Sequence, residues 1–89
     1  MCRSIRTLFN FKPAATDEEI YAASLQFIRK LSGYHKPSKA NEAAFLAAVE
    51  GITAVSSKLL SSLETSAPPR YREVEAAKAR ERYTQRFQR

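Results

Sequence analysis

Read as a pattern of apolar and polar positions, the chain divides into three stretches of helical period separated by two breaks. The longest, Ser38 to Leu63, sets Phe45, Ala48, Val49, Ile52, Val55, Leu59 and Leu63 at recurring threes and fours, which places them on one face of a 3.6-residue helix. Glu50, Gly51, Ala54, Lys58 and Ser61 fall on the reverse face, so this helix is wet on one side and needs packing partners on the other. At about 1.5 Å per residue it would run about 39 Å, enough to cross a small domain, and the other elements are expected to pack on it.

The stretch before it starts at Thr16. Asp17, Glu18 and Glu19 follow, so the Thr hydroxyl can cap a free amide while Glu19 reaches back in a capping box. These acids suit the positive end of the helix dipole, and they read as caps rather than as catalytic carboxylates. Ile20, Ala23, Ser24, Phe27, Ile28 and Leu31 form the apolar stripe, Arg29 and Lys30 sit at the negative end, and Gly33 stands where a left-handed residue would stop the helix. The short connection Gly33 to Pro37 makes the two helices antiparallel neighbours, with Ser38 and Asn41 both open as caps of the second.

After Leu63 the run Glu64 to Pro69 breaks the pattern, and Pro69 suits the first position of a third helix reaching to about Phe87. Its apolar side, Ala76, Ala79, Tyr83 and Phe87, is narrow, which predicts a close helix contact with little burial. Met1 to Lys12 contains Ile5, Leu8, Phe9 and Phe11, too apolar for a loose tail, and Pro13 ends it. A helical turn and an extended segment both fit that spacing. A lone strand would lack a partner in a helical chain, so an arm laid over the core or over a second subunit is expected. The reading is one all-α domain over residues 1–89: an arm (1–15), a helical hairpin (16–63) and a basic C-terminal helix (69–87).

Composition narrows this picture. A chain of 89 residues buries only about 60–65% of its unfolded surface. With 44% apolar residues, 2 Gly and 4 Pro, it is not a disordered composition. The single Cys cannot form an internal disulfide, no unbroken run of about 18 apolar residues is available to span a bilayer, and the opening residues lack a secretory signal. A cytoplasmic location without membrane contact is the expectation. The acid-free first sixteen residues, with Arg3, Arg6 and Lys12, look faintly like a transit peptide, but the stretch is short and joins the first helix directly.

The net charge of +6 is distributed unevenly: residues 1–16 carry +3, residues 17–69 carry −1 and residues 70–89 carry +4. Two basic ends around a neutral middle suit a polyanionic partner, and equally plain solubility. Lys78, Arg82, Arg86 and Arg89 fall on one face of the third helix and could follow a phosphate backbone; the alternative is a solvated charged face. Lys30, His35, Lys36 and Lys39 gather beside the start of the second helix, whose free amides favour anions, but without a Gly-rich phosphate loop. His35 is the single histidine, so a His-based metal cluster or paired acid–base system is not expected, nor is a cofactor or small-molecule substrate. Removal of Met1 would expose the thiol of Cys2 beside an α-amine and Arg3, a setting that lowers thiol pKa; against that, no second Cys or base lies near it in sequence.

Met1 to Ile5, Thr7 to Phe11, Ala15 to Ile20, Gln26 to Lys30, Ser32-Gly33, Lys36 to Phe45, Ala67 to Arg70 and Arg72 to Arg80 together resemble a family of short bacterial proteins known only as a domain of unknown function. Its members typically open Met-Cys-Arg-Asn-Ile and carry a Pro-Pro-Ala-Thr helix start. The resemblance implies a bacterial source and a single domain, and brings no activity or binding residues with it. Ser4 stands where the family usually has Asn, and Phe9 where many members have His, so a site joining Cys2 to a histidine at that place is closed to this chain.

Three functional classes follow from the sequence. The leading one is a non-catalytic helical module that self-associates or binds a protein partner, because two helices and an Ala-rich third cover the long central helix incompletely. Next is a sequence-indifferent nucleic-acid binder using Arg3, Arg6, Lys36, Lys39, Lys78, Arg82 and Arg86. The third is a thiol enzyme or redox protein built on Cys2.

Overall fold

The capping residues act as the sequence predicts. Thr16 accepts a hydrogen bond from the Glu19 amide, Glu19 answers in a full capping box, and α1 runs Asp17–Ser32. Gly33, in the left-handed region at φ 80°, returns its N–H to the Arg29 carbonyl and ends the helix. The computed structural model describes residues 4–87, and side chains through residue 85. In chain order the elements are β1 (Phe11–Lys12), α1, α2 (Glu42–Ser62), β2 (Arg70–Tyr71) and α3 (Arg72–Phe87), a mostly all-α fold.

The second helix is shorter than its periodicity suggests. Ser38 to Asn41 form a turn, with the Asn41 N–H donating to the Ser38 carbonyl at 3.0 Å and Asn41 Nδ2 to Ser38 Oγ at 3.1 Å. Asn41 is the N-cap position but makes no side-chain cap bond. With 21 residues, α2 spans about 32 Å rather than 39 Å.

α1 and α2 pack as an antiparallel hairpin around Ile28, Phe45 and Val49, with Leu25, Ala48 and Ile52 against them. Ile20 is also buried, and so is Ser24, whose hydroxyl donates back to the Ile20 carbonyl at 2.9 Å. The predicted stripe on α2 is buried only in its first half. Val49 is 0% exposed, whereas Val55 is 69% and Leu59 55% exposed, and Leu63 also lies open. Helical period identifies the apolar face; it does not supply an element to cover it.

Three further expectations are corrected. Of the two conformations open for the arm the extended one is found at Phe11–Lys12, but it does have a strand partner: it pairs in parallel with Arg70–Tyr71, Phe11 opposite Arg70 and Lys12 opposite Tyr71. That pairing occupies the residues after Pro69, so α3 begins at Arg72 and Pro69 precedes a strand instead of opening a helix. Among the described residues, the apolar side of α3 also does not make its predicted close contact with the hairpin. α3 joins the body at its first turn, and Ala76, Ala79 and Tyr83 are exposed.

Candidate functional site

The capping box bends Glu19 back over the first turn of α1. Its Oε1 accepts from the Thr16 N–H at 2.9 Å, and its own N–H donates to Thr16 Oγ1 at 3.2 Å. The carboxylate edge left over faces the arm and the linker. Arg72 meets it as a two-pronged fork, Nη1 to Oε2 and Nη2 to Oε1 at 2.8 Å each, while its Nε donates to the Pro13 carbonyl at 2.7 Å. Arg6 adds a looser contact, Nη2 to Oε2 at 3.5 Å. The Arg72 guanidinium first, and the Thr16 amide next, hold the Glu19 carboxyl down to about 2. The same bond raises the pKa of Arg72.

Asn10 and Phe11 complete this junction. Asn10 adopts φ 64°, a left-handed conformation Asn tolerates better than most residues. The turn aims its Nδ2 at the Pro68 carbonyl (3.1 Å) and, more weakly, at that of Ala67 (3.5 Å), while its own carbonyl accepts from the Arg70 N–H at 2.8 Å. The guanidinium carbons of Arg70 and Arg72 each lie 5.8 Å from the centroid of the Phe11 ring, within cation–π range. Arg72 has committed Nε and both Nη atoms to protein oxygens, and Glu19 stays ionised at ordinary pH. The junction is a clamp that fastens the arm and the root of α3 to the start of α1.

The arm continues from the clamp along α1, its Ser4 N–H donating to Gln26 Oε1 at 2.8 Å. Beside it opens a groove of about 290 Å³, with Ile5, Arg6 and Leu8 at the arm side, Ile20, Ala23, Ser24 and Phe27 on α1, and Ile52, Ser56, Leu59 and Leu60 on α2. Phe27 is 45% exposed, and Leu31, one turn further along α1, is 71% exposed. Val55 and Leu59 on α2 are likewise open to solvent, and Phe27 and Leu59 both line the groove, so the hairpin leaves apolar surface uncovered around it. α2 also has the length and composition of a membrane span, with a mean hydropathy of 1.4 in its most apolar window. The lack of an unbroken apolar run did not anticipate this; Glu50 and Lys58 interrupt the helix without lowering the mean enough.

The sequence-predicted basic residues sit in three separate places. Arg6 lies at the clamp, beside Glu19. Lys36 and Lys39 are exposed beyond the far end of α1, about 24 Å of helix away. Lys78 and Arg82 are on exposed α3, where Lys78 Nζ pairs with Glu75 Oε2 at 3.7 Å. Arg86 belongs to the same helix by its backbone. Arg3 and Cys2 lie outside the described residues. Among the described residues, no group of three His, Cys, Asp or Glu is placed to hold a metal ion.

Sequence reasoning did not single out Asn10, Arg70 and Arg72, named Phe11 only as an apolar residue of the arm, and read Glu19 as a cap only. The available signal was an aromatic and basic pair before Pro13 together with Arg-Tyr-Arg after Pro68-Pro69. Nothing local links two segments so far apart.

The fold and its surfaces define a class: a small helical-hairpin protein whose terminal arm is tied to the linker before its third helix. The chain belongs to the family described as "Uncharacterized conserved protein (DUF2277)", which it matches over residues 1–78. The matched span includes the whole clamp and hairpin and ends inside α3, leaving Arg82 and Arg86 beyond it. Among curated proteins and among solved structures, nothing matches the chain.

Proposed function

We propose that this chain is a non-catalytic helical module that works by associating with protein through the apolar face of its hairpin. The observation that carries the reading is the solvent exposure of Phe27, Leu31, Val55 and Leu59 beside an apolar groove, on a hairpin whose buried core contains few residues. The clamp supports it as a scaffold, because it holds the arm, and with it Ile5 and Leu8, at the groove's edge. A nucleic-acid surface would instead have to draw on cations about 24 Å of helix apart, at the clamp and at the hairpin turn.

Thiol labelling of Val55→Cys and Lys58→Cys, each in a Cys2→Ser background, tests the reading. The thiol at 55 is expected to react freely in dilute protein and to become at least tenfold slower at working concentration or in an extract of the native cells. The thiol at 58, on the wet side, stays reactive throughout. A thiol at 55 shielded in the dilute monomer, or never shielded under any condition, overturns the reading.

A further inference from the structure

We infer that the surface covering this apolar face is the same face of a second copy, so that the working unit is a two-fold homodimer; the inference rests on the association reading above and names its partner. Area is the first argument. A compact monomer of 10.0 kDa exposes about 5,200 Å². This chain exposes 7412 Å², an excess of about 2,200 Å² over that expectation. A standard interface needs about 800 Å² from each partner, well within that excess.

Shape is the second. The radius of gyration is 16.3 Å, against about 12 Å expected for a compact chain of this length. The principal extents are 49 × 38 × 16 Å, so the molecule is flattened, with little interior for its apolar side chains. Stable domains enclose their apolar faces between two layers. Two copies stacked on Phe27, Leu31, Val55 and Leu59 cover those side chains on each other. A two-fold contact is self-complementary, so one patch serves both subunits.

Charge is the third. The two ends of each chain are basic, whereas residues 17–69, which include the hairpin, carry a net −1. Contact through the hairpin sets this near-neutral segment against its copy, and Arg6 of the arm, at the groove's edge, is ion-paired with Glu19.

Size-exclusion chromatography with light scattering on the full chain reads the outcome directly. A mass twice 10.0 kDa is expected at micromolar concentration, with a thermal midpoint that rises by about 8 °C for a hundredfold increase in protein. Leu59→Asp should return the monomer mass with its helical circular dichroism retained. If that variant fails to fold, Leu31→Ser, at a position already 71% exposed, is expected to weaken the dimer at least tenfold. A wild-type monomer at 100 µM with a concentration-independent midpoint overturns the inference, as does a monomer that floats with phosphatidylcholine vesicles. A monomer whose Val55→Cys thiol is shielded only in extract removes the second copy but leaves the association reading standing. A monomer shielded nowhere removes both.

Discussion

The clamp and the apolar face lie on the same hairpin and solve opposite problems. At the clamp, charged and polar groups from three distant segments satisfy one another: Glu19 takes Arg72 and Arg6, and Asn10 takes the backbone around Pro68. At the face, Val55 and Leu59 continue the helical stripe that buries Val49 but lie more than half exposed. Polar fastening is complete within one chain and apolar covering is not. Directional bonds need only a few well-placed atoms, whereas burial needs area, and a slab 16 Å thick has too little of it inside.

Substitutions can break this contrast. The largest effect is expected from Val49→Ala, which empties a fully buried site and should cost about 2 kcal/mol at every protein concentration in urea unfolding. Val55→Ala on the same helix should cost less than about 0.5 kcal/mol in dilute protein and more as concentration rises. Equal and concentration-independent losses would mean that the two positions share one environment.

The clamp responds to acid instead. The carboxyl of Glu19 is held near 2 when folded, against 4.5 for the free group, so its contribution is full above pH 4.5 and is lost as pH falls from there towards 2. Glu19→Gln should remove that part of the pH dependence while leaving the unfolding midpoint at neutral pH lower than wild type. An unchanged acid limb of the stability profile would show that the Arg72 fork contributes little. Opposite in sign is Gly51→Ala: a Cβ there meets nothing within 4 Å, so relief of the glycine's helix penalty should stabilise α2 by about 0.5–1 kcal/mol. A loss at that position would extend the covered surface around the helix from Val55.

How much of this the sequence disclosed depended on distance along the chain. α1 was legible to its ends because its signals are local: Thr16 and Glu19 lie three residues apart, and Gly33 abuts the last turn. The start of α2 was over-read because Ser38 to Asn41 continue a helix-compatible pattern while their backbone makes a separate turn. The stripe on α2 was read correctly as apolar and as incompletely covered, but not where its cover stops, since periodicity carries no information about what lies opposite. The pairing of Phe11 with Arg70 was invisible, since two-residue strands leave no alternating pattern. The family resemblance, by contrast, rested on nearly the whole chain, and the matched residues 1–78 agree with it.

The same pairing also sets an order of events in time. Arg72 reaches Glu19 across 53 residues of chain and Pro13 across 59, whereas α1 and α2 meet across one short turn. Closing the larger loop costs more chain entropy and gains its return only once both helices are in place. The hairpin is therefore expected to assemble first, with the clamp shutting behind it. In reverse, the clamp is expected to be the first part to let go, releasing arm and third helix together while the two-helix core persists.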